Sequence, residues 1–239
     1  MKDVIKGELL YDGNEKQIYS TNESDLAILH FKDVTTAYGG VKRARFKGIG
    51  CVNNSISAIL FNELEKAGIP THFVGIFSDR EMLCHKAEHI KIEVIVHNRV
   101  AGTLARKLDV EEGLKPSIVI VDLRYNNHYL GKPLINDDQA VALNLASLEE
   151  VKMMHEMALK ANAVLEPLFE KVGIDLIDFK IEFGRNSRGE LIVCDELSPD
   201  RCRLWDSKTG EKLDKDRFRH DLADIYKGYD EVLKRLENR

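Results

Sequence analysis

The residues able to do chemistry concentrate between positions 175 and 205, in DLIDFKIEFGRNSRGELIVCDELSPDRCRLW. Asp178, Lys180 and Glu182 alternate with Ile177, Phe179, Ile181 and Phe183. A period of two puts the charged set on one face of a strand and the apolar set on the other. Residues 186–189 read as a turn and 191–196 as a returning strand. With Arg185 opposite Glu190, Lys180 faces Asp195, and the expected polar face is Asp178, Lys180, Glu182 and Asp195. On its own, a strand face of mixed charge is a solvated face. This one runs straight into Asp195-Glu196-Leu197-Ser198-Pro199-Asp200, then Arg203 and Trp205. Carboxylates at that density suit a hard cation such as Mg²⁺, and arginine forks onto phosphate or carboxylate.

The flanking chain supplies elements to hold such a strip. Short strands are expected at 7–11, 16–20 and 26–31, with Asp12-Gly13-Asn14 as a hairpin turn. A glycine there lets backbone amides approach an anion closely, although most hairpins of this kind are only hairpins. Residues 33–54 are rich in glycine and basic residues and read as a mobile loop, with Lys42, Arg43, Arg45 and Lys47 as solvated charge. A helix is expected from Asn54 to Ala67, stopped by Gly68 and Pro70, then strands at 71–77, 81–86, 91–98 and 117–125. His85 and His89 are spaced for a metal only on a helix, and in strands they are not a metal site. Ser147 and Glu150 form a capping box that opens a helix with Val151, Met154, Ala158, Ala161, Leu165 and Leu168 as its apolar stripe, ended by Gly173. A last helix, about 216–237, is expected to bury Phe218, Leu222, Ile225, Tyr229, Leu233 and Leu236, with Lys215, Asp216 and Arg219 at its first turn.

At 239 residues the chain can bury a substantial core as one domain or two fused lobes. Its 35 basic and 40 acidic residues leave a net charge of −5, which argues against nucleic acid as a partner. No apolar run approaches the roughly 18 residues of a membrane span, and MKDVIKGELL has no apolar leader segment. Cys51, Cys84, Cys194 and Cys202 form no CxxC pair, so a reduced, cytoplasmic setting is expected.

DFKIEFG, DELSPDRCRLWD (195–206) and DKDRFR (214–219) together resemble the SAICAR synthetases, the phosphoribosylaminoimidazole-succinocarboxamide synthetases of purine synthesis, and the likeness runs nearly the whole chain. The resemblance implies an α+β fold of two lobes: a β-rich, nucleotide-covering lobe over 1–88 and an ATP-grasp-like catalytic lobe over 89–239, with the nucleotide in the cleft between them. It implies ATP-dependent ligation of CAIR, the carboxylate of an aminoimidazole ribotide, to L-aspartate through an acyl phosphate, with ATP and Mg²⁺ as cofactors and a homo-oligomeric assembly. Carried over residue by residue, Gly13, Lys16 and Lys86 serve the nucleotide, and Glu182 and Asp195 hold the metal. Lys180 touches the substrate carboxylate or the transferring phosphoryl group. Asp178, Asp200, Arg203, Lys215 and Arg219 shape the substrate side, with Arg203 and Arg219 on anionic groups. His97, Thr103 and Ser198 join in binding substrate, and Asn98 is a weaker candidate.

Five positions depart from the family's pattern: Asn14, Gly39, Ile49, His97 and Lys132. His97 stands for an arginine, and so replaces a planar, permanently charged fork by a titratable ring. Two other readings therefore stand beside the first. One is a paralogue that runs the same ATP chemistry on a different carboxylate or amine. The other is a catalytically weak nucleotide sensor, against which the intact Glu182 and Asp195 speak.

Overall fold

The computed structural model describes residues 4–222 and 224–239. In chain order the elements are β1 (Lys6–Asp12), β2 (Lys16–Thr21), β3 (Leu26–Phe31), β4 (Val34–Ala37), β5 (Lys42–Arg45), α1 (Ile49–Lys66), β6 (Phe73–Ser78) and β7 (Glu81–His85). They continue with β8 (Glu88–His97), α2 (Gly102–Leu108), β9 (Ile120–Tyr125), β10 (Leu134–Ile135), α3 (Asp137–Ala142), α4 (Leu148–Lys171) and β11 (Ile174–Arg185). The chain closes with β12 (Leu191–Cys194), β13 (Cys202–Asp206), α5 (Asp216–Arg219) and α6 (Ile225–Glu237).

Two antiparallel sheets follow one another along the chain. The first has the order β1-β2-β3-β7-β6, the second β10-β9-β8-β11-β12, and β13 also pairs with β11. Only Lys86 and Ala87 separate the last strand of one from the first strand of the other. A single hydrophobic cluster nevertheless runs through both, from Leu29 and Phe31 to Phe179, Phe183 and Val193. α1 packs on the first sheet and also against α4 and α6, while α4 lies on β8 and β11. Among the described residues no helix is long and apolar enough to cross a membrane.

The helix over 148–171 follows from local chemistry. Ser147 Oγ accepts the Glu150 N–H, and Glu150 returns the bond to the Ser147 N–H, so two orphan donors are satisfied reciprocally. Val151, Met154, Ala158, Ala161 and Leu165 are fully buried, and Phe169 rather than Leu168 completes the stripe. Gly173 leaves the helix at φ +71°, a left-handed turn that an L side chain rarely adopts.

Three expectations fail for identifiable reasons. Residues 33–54 are not a loop: β4 and β5 pair with Val34 opposite Arg45, and α1 starts at Ile49 rather than Asn54. Asp33 Oδ1 accepts the Gly50 N–H and its other oxygen meets Arg80 at 3.3 Å, so the helix start is held by distant residues. The terminal helix is two: α5 spans four residues and α6 opens at Ile225, where Asp224 accepts the Tyr226 N–H. Leu222, between them, is 46% exposed. Finally, the β11–β12 register differs by one residue. Arg185 faces Leu191 and Glu182 faces Cys194, so Lys180 does not face Asp195. The cause is the turn. Asn186 accepts the N–H groups of Arg188 and Glu190 on its side chain, and its own N–H meets Glu190 O, which closes a five-residue loop.

Candidate active site

Strand pairing brings the polar residues together. β11 lies against β8 with Asp178 opposite His97, Lys180 opposite Ile95 and Glu182 opposite Glu93. Glu93 is wholly buried, a lone carboxylate within Ile92-Glu93-Val94-Ile95-Val96. Lys132 Nζ lies 2.9 Å from one of its oxygens and Lys180 Nζ 3.8 Å from the other. Burial raises the pKa of Glu93, but Lys180, Lys132 and Arg201 outweigh that and hold it at about 2.

Asp195 reaches this face by a different route from the expected one. β12 ends at Cys194, and Asp195 takes φ +68°, uncommon for a residue other than glycine. That turn breaks the alternation and directs the Asp195 carboxylate to Arg201, 2.7 Å away. Arg201 is the hub of the site: Glu182 lies 3.6 Å, Glu196 3.6 Å and Glu93 3.7 Å from its guanidinium. Lys16 Nζ, from the first sheet, contacts Asp195 and lies 2.8 Å from Glu196. Burial works to raise Asp195, but Arg201 and Lys16 keep it far below the usual carboxylate range. Glu196 goes the other way: burial and the charges of Asp200 and Asp195 push it up against Lys16 and Arg201. Glu182 receives His89 Nε2 at 2.6 Å and the Asn126 amide at 3.1 Å. Lys180 is brought down to about 8, first by burial and then by the nearby Arg201, Arg219 and Lys132 charges, with Glu93 opposing.

On the other flank, Arg203 donates to Asp178 at 2.6 Å and to Asp216 at 2.9 Å, and Arg219 pairs with the second oxygen of Asp216. Gly102, at φ +57°, makes room for this: a Cβ there would lie 2.4 Å from the Arg203 guanidinium. His97, 3% exposed, faces Asp122 at 3.3 Å and Asp178 at 3.7 Å through its two ring nitrogens. Burial lowers its pKa, and the two carboxylates reverse this and raise it. Asp200 accepts from Asn53 at 2.6 Å and Tyr229 at 3.0 Å, and Lys215 Nζ sits 3.1 Å away. Ser198 donates to Glu196 and accepts the Asp200 N–H, so it braces the loop from a fully buried position.

The expected residues thus divide. Lys16, Lys180, Glu182 and Asp195 share the ion pairs around Arg201 and Glu93; Asp178, Arg203 and Arg219 form a second set through Asp216, with His97 at its edge; Asp200 and Lys215 form a third with Glu15. Gly13 closes the β1–β2 turn by donating to Lys16 O at 2.9 Å. Thr103 is half-buried on α2 and accepts from Arg106. Lys86 stands exposed where the chain crosses between sheets and, among the described residues, joins none of these ion pairs. Asn98 exchanges two hydrogen bonds with Asn162 and braces α4 instead. The expected metal pair, Glu182 and Asp195, meets on Arg201; among the described residues, the three carboxylates whose donor atoms converge within 4.8 Å are Glu15, Glu196 and Asp200. Arg201, Glu93 and Glu15 escape a reading of the sequence. Arg201 lies beside Arg203 in DRCR, and Glu93 is legible as a lone carboxylate in an apolar strand.

Carboxylates, lysines and arginines gathered from both sheets suit the transfer of a phosphoryl group between bound anions, the chemistry of a nucleotide-dependent ligase rather than of a hydrolase with a side-chain nucleophile. Residues 9–236 match the sequence model of SAICAR synthetase. A phosphoribosylaminoimidazole-succinocarboxamide synthase of Fusobacterium nucleatum is 49% identical over 97% of this chain and 98% of its own. Its counterpart in Clostridium perfringens is 47% identical over the same shares. The crystal structure of the Ehrlichia chaffeensis synthase superposes with a TM-score of 0.94 at 36% identity, covering 96% of this chain and 98% of that one. A SAICAR synthetase solved in complex with ADP superposes with 0.93 at 42% identity, covering 97% and 98%. The chain belongs to the SAICAR synthetase family.

Proposed function

We propose that this protein joins CAIR to L-aspartate at the expense of ATP, giving SAICAR, ADP and phosphate in purine biosynthesis. The observation that carries the reading is the unbroken set of ion pairs around Arg201, in a chain of this family. A carboxylate is a poor acyl donor because oxide is a poor leaving group. In the reaction a CAIR carboxylate oxygen attacks the γ-phosphorus, the bond to ADP breaks, and an acyl phosphate forms. The aspartate amine then attacks the acyl carbon, loses a proton and expels phosphate. No side chain forms a bond to substrate, so the protein's work is placement and neutralisation of anions.

The nucleotide lies in the cleft between a β-rich lobe (1–88) and an ATP-grasp-like lobe (89–239), with Gly13, Lys16 and Lys86 at its phosphates. Glu182 and Asp195 would hold Mg²⁺: both offer carboxylate oxygens, and both face a cation in this structure, the Arg201 guanidinium. When bound, Mg²⁺ supplies charge neutralisation to the phosphoryl oxygens. Lys180 steadies the carboxylate as it becomes the acyl phosphate. Asp178, Asp200, Arg203, Lys215 and Arg219 shape the substrate side, with His97, Thr103 and Ser198 around them. The protein works in the cytoplasm as a homo-oligomer.

Three of the five departures have a visible role in the structure. Ile49 is fully buried at the start of α1, Gly39 occupies φ +70°, and Lys132 neutralises Glu93. The test is ADP release by purified protein with MgATP, aspartate and CAIR, each left out in turn. Release that needs all three, with SAICAR identified by mass, is the expected result. Release that ignores CAIR but follows another carboxylate would transfer the assignment to a paralogous ligase.

A further inference from the structure

Glu15 and Lys16 are neighbours where the β1–β2 turn enters β2, and both reach across to the second half of the chain with opposite sign. Lys16 contacts Asp195 and Glu196. Glu15 holds Lys215 Nζ at 2.6 Å, and the same oxygen accepts the Thr36 N–H at 2.7 Å and the Thr36 hydroxyl at 2.8 Å. Glu15 and Lys215 are 15% and 8% exposed, so water screens the pair little. Burial works to raise the pKa of Glu15, and Lys215 and Arg201 bring it down to about 2, so the carboxylate is ionised at neutral pH.

Lys215 therefore lies between two carboxylates, Glu15 at 2.6 Å and Asp200 at 3.1 Å. One positive charge against two negative ones offers no net attraction to a third anion. Asp200 cannot readily leave, because Asn53 and Tyr229 also bind it in a buried setting. Glu15 is tied as well, through Thr36 on β4, but it stands on the turn that also carries Lys16 and so follows that turn. Consecutive Cα atoms are about 3.8 Å apart on a stiff backbone, and a charge-assisted hydrogen bond fades beyond roughly 3.5 Å. A shift of the turn's backbone by about 1 Å, rather than a swing of the Lys16 side chain alone, would thus carry Glu15 out of hydrogen-bond reach of Lys215, 2.6 Å away at rest.

We propose that Glu15 is a positioning residue that couples the two halves of the site: it masks Lys215 in the free enzyme and releases it when nucleotide phosphates draw Lys16 away from Asp195 and Glu196. Lys215 then receives the anionic groups of CAIR. This rests on the reaction proposed above and adds an order to it, with nucleotide binding favouring CAIR binding. Coupling of this kind is reciprocal, so CAIR favours nucleotide by the same factor.

The test is calorimetric titration of the full-length protein with CAIR, alone and with saturating MgADP, which permits no turnover. For the unaltered protein, CAIR is expected to bind about tenfold more tightly with MgADP present, within the usual range of such couplings. Glu15→Gln keeps the shape and removes the charge. It is expected to bind CAIR without nucleotide nearly as tightly as the unaltered protein does with it, so that MgADP changes its affinity by less than about twofold. Glu15→Ala serves if Glu15→Gln does not fold, with melting temperature reporting on folding in each case. A residue that merely braces the turn would lower the melting temperature and leave the MgADP effect intact, and that result overturns the inference. So does an unaltered protein that binds both ligands without mutual effect. A protein that binds neither CAIR nor MgADP would instead bring down the reaction assignment, and this inference with it.

Discussion

Replacing Arg201 by methionine tests whether one guanidinium holds the site together. Four carboxylates, Asp195, Glu182, Glu196 and Glu93, lie within 3.7 Å of it, and its own side chain is 17% exposed. Removing one partner of a buried ion pair costs about 3–5 kcal/mol, because it leaves charge uncompensated. Each of these carboxylates keeps a second partner: Lys16 on Asp195 and Glu196, His89 on Glu182, Lys132 on Glu93. The cost is therefore taken at the lower end, about 3 kcal/mol. For a chain of this size each kcal/mol moves Tm by about 2–4 °C, so Arg201→Met should melt about 6–12 °C lower at pH 7. Differential scanning calorimetry across pH adds a second reading. The depressed Glu93, which titrates at about 2, contributes stability above its unfolded pKa of 4.5 that is lost as pH falls toward 2. Without Arg201 there is less depression to lose, so the gap between the two proteins should narrow below pH 4.5. A variant that melts within about 3 °C of the parent, with a gap that does not change with pH, would refute the role given to Arg201.

His97 has a raised pKa, so its contribution to stability is complete below the unfolded value of 6.5 and is lost as pH rises through the folded value. His97→Gln should flatten that alkaline loss, read as denaturation midpoints at pH 6 and pH 9. Lys180, at about 8, should set an alkaline limb on kcat/KM near that pH, since its ammonium is the form that pairs with an anion. Lys180→Arg should move the limb upward, and a limb that stays in place assigns it to another group. Chelation of Mg²⁺ should abolish ADP release, and Glu182→Gln and Asp195→Asn should each raise the Mg²⁺ concentration for half-maximal rate by at least about tenfold, measured by metal titration.

Local interactions were the legible part of this fold. Ser147 and Glu150 announce α4 because both ends of the capping box lie within four residues. The strip from Asp178 to Glu182 is legible because alternation is a property of the strand alone. The β4–β5 hairpin and the start of α1 are not, since Asp33 and Arg80, rather than a local cap, hold them. The position of Asp195 depends on a turn one residue longer than the pattern suggests and on a left-handed backbone angle, and neither leaves a signature in composition. Arg201 was hidden by its neighbour: in DRCR only the three-dimensional path of the loop tells which arginine turns toward Glu182 and which toward Asp178.

Asp178, Lys180 and Glu182 sit on one uninterrupted stretch of β11, in even register with His97, Ile95 and Glu93 across the gap. At about 3.3 Å per residue, that stretch sets Asp178 and Glu182 about 13 Å apart with Lys180 midway. The strand is a graduated rule. It spaces Asp178, which pairs with Arg203, from Glu182, which faces Arg201, and it puts Lys180 at the middle mark. Because the divisions are peptide units, the scale cannot stretch to suit a longer or shorter molecule, and inserting a single residue would turn every later mark to the opposite face. Specialisation toward another carboxylate would have to come from the loops that meet the rule, while the rule itself stayed as it is.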